Sequence, residues 1–132
     1  MDTRTSTFTL SPAVKRKWLA ALRSGKYKQT TGVLYDSRND GFCCLGVLCH
    51  IEGATKQGMI LREQPVDVGM FTDALLDYCE MTPAQSEKYT AESFSFSVKY
   101  KNKLTPLSVL NDEKKLTFKQ IANIIERSVD TY

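Results

Sequence analysis

Phe42-Cys-Cys-Leu-Gly-Val-Leu-Cys49 is an unbroken apolar run of eight residues, and any fold of this chain has to bury it. The run is far too short to cross a bilayer, which takes about 20 residues in a helix. It therefore reads as the centre of a core, and a chain of 132 residues is long enough to build one without staples. Periodicity alone does not assign it to helix or strand. Leu45, Leu48 and Cys49 would share one helical face, Gly46 would admit a neighbouring backbone, and Gly53 would end the helix. These features favour a short buried helix. A strand pairing back across the turn of Asp36-Ser-Arg-Asn-Asp-Gly41 is the alternative.

Elements on either side follow from their end signals. Ser11 suits an N-cap, Pro12 the first helical position and Gly25 a left-handed C-cap, which predicts a helix over 12–24. Val14, Trp18, Ala21 and Leu22 form its apolar stripe, and Lys15, Arg16, Lys17 and Arg23 its other face. Residues 1–10 read as a flexible arm or an edge strand, and Lys28 to Tyr35 as one strand. Residues 54–70 are expected to be loop with a short strand at 59–61, and 71–79 a helix. A capping-box pattern with Pro83 starts a helix at Thr82 that runs to about Glu92. Phe94 to Tyr100 alternates strictly and predicts a strand, with a turn at Asn102. Thr105-Pro106 opens a short helix that stops at Asn111-Asp112. Thr117 and Gln120 form another capping box before a helix with Phe118, Ile121, Ile124 and Ile125 on its apolar face. With only seven Gly and four Pro the chain is neither disordered nor fibrous. The expectation is a single α+β domain over 1–132, a small antiparallel sheet packed with about four to five helices.

Three of the four cysteines, Cys43, Cys44 and Cys49, lie in the apolar run, and Cys79 stands alone. Clustering of this kind reads as reduced thiols packed in a core, not as a disulfide framework spread through loops. With no apolar stretch at the N-terminus, this predicts a cytoplasmic protein without membrane association. Structural zinc prefers Cys-x-x-Cys spacing, which is missing, and His50 is the sole histidine. On a helix His50 would lie about 9 Å along the axis from Cys44 and about 100° around from Cys49. It could serve only a thiol from elsewhere, such as Cys79, so neither a metal nor a cofactor is expected. Asp36, Asp40, Asp67, Asp73 and Asp77 are dispersed and form no acid–base pair. No catalytic residue is assigned.

Charge is the strongest functional signal. From Thr3 to Tyr35 there are seven Lys or Arg residues and no acid, whereas from Asp36 onward eleven basic and fourteen acidic residues give −3. A cationic first quarter favours an anionic partner. Gly25-Lys26 is not a phosphate loop, because Gly25 closes a helix where that loop opens one. Arg23, Lys26, Tyr27, Lys28 and Gln29 nevertheless crowd one helix–strand junction with a phosphate fork, two ammonium groups, a stacking ring and an amide. Asn111 and Asp112 could add specificity for a ribose or base, although Asx-turn chemistry also explains them. The helix at Thr117 resembles part of a helix-turn-helix, but no recognition helix follows it, which argues against DNA.

Two stretches also carry a resemblance. Trp18-x-x-Ala-Leu-Arg-Ser-Gly-x-Tyr-x-Gln29 with Phe42-Cys-Cys-Leu-Gly-Val-Leu-Cys49, and then Leu110-Asn-Asp112 with Phe118-x-x-Ile-Ala-x-x-Ile125, resemble a family of small phage and prophage proteins mostly without known function. The likeness covers about half of the chain and implies a viral or mobile-element origin. Since small phage proteins include some that capture host nucleotide signals, it suggests an anti-defence protein. The resulting expectation is sequestration, without turnover, of a small anionic nucleotide-like ligand. The ligand-binding residues would be Arg23, Lys26, Tyr27, Lys28, Gln29, Asn111 and Asp112, in a pocket shared within a homo-oligomer. The alternatives are an interaction module acting through the basic helix and, less favoured, a small nucleotide-processing enzyme or a DNA-binding protein.

Overall fold

In the computed structural model, residues 5–53, 56, 89–91 (backbone only) and 96–131 are described. The expectations for 54–55, 57–88 and 92–95, including the helix at 71–79, lie outside them. Helix α1 (Pro12–Arg23) is built as its end signals dictate: the Val14 N–H donates to Ser11 Oγ at 3.2 Å, Pro12 opens the helix and Ser24 caps it. Gly25 then turns the chain away at φ +77°, a conformation open to glycine at no steric cost. Val14, Trp18 and Leu22 are its buried stripe.

Lys28 to Tyr35 is not one strand. Gly32 takes φ +83° and breaks it into β2 (Lys28–Gln29) and β3 (Tyr35–Asp36), which flank β4 (Gly41–Phe42). Pairing of β2 with β4 is parallel and that of β3 with β4 antiparallel. The Arg38 N–H donates to Asp36 Oδ1 at 2.9 Å inside the connecting turn.

The apolar run divides between both sequence readings. Phe42 belongs to β4, and α2 (Cys44–Ile51) follows at once, with Cys43 Sγ accepting from the Gly46 N–H at 3.3 Å. Cys44 through Cys49 are all buried, so α2 runs through the middle of the core. Gly46 is obligatory there, because a Cβ would stand 2.0 Å from the Leu34 carbonyl oxygen. Trp18, fully buried, donates its indole N–H to the Cys44 carbonyl at 3.1 Å and ties α1 to α2.

Residues 5–10 are woven into the fold. Strand β1 (Phe8–Leu10) has β5 (Tyr89–Ala91) antiparallel on one side and β8 (Asp130–Thr131) parallel on the other. That removes both the edge-strand and the arm readings for 8–10. It also corrects the helix expected through Glu92, since 89–91 are strand. Strands β6 (Ser97–Tyr100) and β7 (Lys103–Pro106) form a hairpin whose two central residues, Lys101 and Asn102, have φ of 51° and 66°. This is the turn whose twist matches a two-residue hairpin. Helix α3 (Leu107–Asp112) follows directly. Helix α4 (Phe118–Ser128) begins with both halves of the Thr117/Gln120 capping box and buries Phe118, Ile121, Ile124 and Ile125.

The fold class is α+β, as expected. Its described strands, however, form three small sheets, two of them containing a parallel pair. Helix α1 packs on α4 and α2, and α3 packs on α2 and α4.

Candidate functional site

Gln29, Asn111 and Asp112, far apart in the chain, meet in one network. The Asn111 side chain is fully buried. Its Oδ1 accepts from Gln29 Nε2 at 2.9 Å and from the Cys44 N–H at 3.3 Å. Its Nδ2 donates to the Thr30 carbonyl at 2.8 Å and to Asp112 Oδ1 at 2.7 Å. A primary amide has two donors and two acceptor lone pairs, so Asn111 is fully used. Gln29 Nε2 also donates to the Leu116 carbonyl at 2.7 Å. The trio is a clamp joining β2, the start of α2 and the end of α3. Motif residues from both halves of the chain converge on it, with a structural task visible for each. Asn111 can influence a ligand only by holding Gln29 and Thr30 in place.

The cations of the first quarter divide into engaged and exposed groups. Lys15 Nζ donates to the carbonyls of Glu126 and Val129 at 2.9 and 2.5 Å, closing the C-terminus of α4. Lys17 pairs with Glu52 at 3.3 Å, where the carboxylate side chain is 1% exposed. Arg23 Nη2 donates to Asn123 Oδ1 at 2.8 Å and Glu126 Oε1 at 2.6 Å, so it faces α4 and not the 26–29 segment. The Glu126 carboxyl is held below its ordinary range, first by the hydrogen bond from Arg23 and then by that charge. Lys26 and Lys28 are exposed and have no side-chain partner among the described residues. Tyr27 between them is half-buried, its ring edge-on to Phe42 and His50 at centroid distances of 5.2 and 5.8 Å.

Between α1 and α4 runs an open groove of about 470 Å³. Pro12, Leu19 and Ala20 line it together with Lys15, Arg16 and Arg23, and Glu126 on the α4 side.

A second constellation escaped the sequence reading because its members come from separate elements. Tyr35 Oη and Lys56 Nζ both donate to Asp40 Oδ1, at 2.5 and 3.0 Å. The Tyr35 hydrogen bond, and then that of Lys56, holds the Asp40 carboxyl below its usual range. Lys56 lies 5.4 Å from the Tyr35 ring centroid and 6.0 Å from that of Phe42. His50 packs against Phe42 at 5.3 Å, and its buried Nδ1 has no hydrogen-bond partner among the described residues. The one available signal was Asp40 preceding Gly41 in a turn, where it adopts φ 54°.

Burial pushes the Cys43 thiol up to about 12 and that of Cys44 well above its ordinary value. Neither is a nucleophile at neutral pH, where the thiolate is the reactive form. The expectation of three reduced thiols fails at Cys49, which is disulfide-bonded while Cys43 and Cys44 are free. Its bonding partner lies outside the described residues. Among the described residues no group of three or more His, Cys, Asp or Glu could hold a metal ion, and no helix is long and apolar enough to cross a membrane.

Fold and site together define a small α+β domain with an asparagine-centred clamp at its heart and, among the described residues, unpaired cations on its surface. The chain belongs to the family of DUF8296, a domain of unknown function, whose model matches residues 10–129 and so takes in everything from the end of β1 to the end of α4. No curated protein and no solved structure matches the chain.

Proposed function

We propose that this protein binds and sequesters a small anionic ligand of nucleotide type without turning it over. In the phage or prophage setting that the sequence motifs suggest, it would withhold such a signal from host defence. One observation carries the reading. Lys26 and Lys28 stand exposed without intramolecular partners among the described residues, on either side of Tyr27, in a segment pinned by the Gln29–Asn111 clamp. A braced ring and two unpaired ammonium groups on a fixed backbone suit a base or ribose bearing phosphate. Arg23 uses only Nη2 among the described residues and retains other N–H donors for an anion. Since the segment lies at the surface, enclosure of the ligand would come from a second copy of the chain, which makes a homo-oligomer part of the proposal.

Calorimetric titration of the native protein and of Lys26→Ala and Lys28→Ala with cyclic and linear nucleotides tests this. Each substitution should weaken binding by about tenfold, the scale of one charged hydrogen bond, and added salt should weaken it further. Unchanged affinity in both variants would refute the assignment.

The groove between α1 and α4 favours a second reading, an interaction module. A lining that combines Pro12, Leu19 and Ala20 with Lys15, Arg16 and Arg23 suits an acidic protein surface. Arg16→Glu would then abolish partner binding and leave nucleotide binding intact.

A further inference from the structure

The β6–β7 hairpin and α3 enclose a pocket of about 340 Å³ that lies outside the cationic first quarter. Three lysines line it, Lys101 and Lys103 from the hairpin and Lys114 from beyond α3, and no acid among the described residues does. None of the three has an ion-pair partner within the described chain, in contrast to Lys15, Lys17 and Arg23, whose charges are taken up by α4 and Glu52. The remaining wall is largely apolar, with Leu104, Pro106 and Val109 beside the ring of Tyr100. Lys101 sits 5.4 Å from the centroid of that ring.

Geometry holds these groups in place. The two-residue turn, with Lys101 and Asn102 both at positive φ, fixes the register in which Tyr100 pairs with Lys103. Thr105 Oγ1 donates to the Lys103 carbonyl at 3.1 Å and stiffens the second strand. On the other side, the Leu107 N–H donates to the Phe96 carbonyl at 2.8 Å and locks α3 to the hairpin. Like charges gathered around one concavity, with no counter-ion among the described residues, focus a positive potential there. The volume falls within the roughly 300–1,000 Å³ of small-molecule sites.

We propose that this pocket is an anion site separate from the 26–28 segment. It takes a ligand in which two or more phosphates are joined to a flat apolar group, as in a nucleoside diphosphate. The ammonium groups hold the phosphates, and the flat group lies against Tyr100 and the aliphatic wall. Three cations match the charge of a diphosphate, whereas the apolar wall has no use for a bare inorganic anion.

The test is a two-dimensional amide NMR titration of the full chain with ADP, pyrophosphate and adenosine in separate arms. It is repeated on the triple variant Lys101→Asn, Lys103→Gln, Lys114→Gln, in which asparagine tolerates the positive φ of position 101. ADP should shift the amides of 100–105, 109 and 114 and bind more tightly than either fragment. The triple variant, its spectrum otherwise native, should lose at least about tenfold in affinity, while Lys26→Ala with Lys28→Ala leaves these shifts unchanged. ADP shifts confined to 26–29, pyrophosphate binding as tightly as ADP, or a triple variant within twofold of the native protein would each overturn the proposal.

Discussion

Asn111 shows how much one buried side chain can carry. All four of its hydrogen-bonding positions are filled, by Gln29, Cys44, Thr30 and Asp112. Replacing it with alanine takes this partner from the buried Cys44 N–H and from the Thr30 carbonyl, each at a real desolvation cost, and leaves Gln29 held only by the Leu116 carbonyl. Asn111→Ala should therefore destabilise the fold by about 2–4 kcal/mol, read from the shift in urea midpoint at constant slope. A loss below about 1 kcal/mol would mean that water replaces the amide without difficulty. Trp18 is the apolar counterpart, fully buried with its indole N–H on the Cys44 carbonyl. Trp18→Ala should cost about 3–5 kcal/mol, and Trp18→Phe should keep most of the packing while losing the hydrogen bond. For the thiols, Cys43 and Cys44 should label slowly in the native protein, since burial raises both. Unfolding without reductant should expose these two and spare Cys49, and labelling of Cys49 under those conditions would contradict its disulfide.

Among the elements, two cations of α1, Lys15 and Arg23, link it to the C-terminal half of α4. Lys15→Ala removes the group that closes the carbonyl end of α4 and should lower stability by roughly 0.5–1 kcal/mol, whereas Lys26→Ala should be silent in the same melt. The Arg23–Glu126 link depends on pH. Glu126 has a folded pKa below its ordinary 4.5, so the unfolded chain takes up its proton first as acid is added. This contribution is complete above about pH 4.5 and is lost as pH falls through the lower folded value. Asp36 and Asp40 shift in the same direction from 3.8. Thermal melts should therefore show Tm dropping below about pH 4.5, with a shallower drop in Glu126→Gln. An identical profile in that variant would remove Glu126 from the account. Much of this layer was legible beforehand, because caps are local: Ser11-Pro12, Gly25, Thr117 with Gln120, and the turn at Asn102 each act over a few residues. Lys28 to Tyr35 misled because its apolar residues suggested a strand, while Gly32 supplied the positive φ that interrupts it. Contacts made at long range were not legible. Nothing near Gln29 announces Asn111, and nothing near Lys15 announces the end of α4.

At the scale of the whole molecule, charge asymmetry along the chain translated only partly into a charged surface. Structure spends Lys15, Lys17 and Arg23 on internal links and leaves Lys26 and Lys28 exposed around Tyr27, and Lys101, Lys103 and Lys114 exposed around the β6–β7 hairpin. Candidate site residues fared likewise: Gln29, Asn111 and Asp112 converge, Arg23 turns to α4, and Lys26, Tyr27 and Lys28 remain at the surface. A binding protein with this layout should release what it captures unchanged. The decisive measurement is incubation of the purified protein with a mixture of cyclic and linear nucleotides, removal of unbound material, heat denaturation and chromatography of the released fraction. The account predicts recovery of bound nucleotide, intact and in a fixed ratio to the protein; release of a cleaved or otherwise altered product, or of no nucleotide at all, would contradict it.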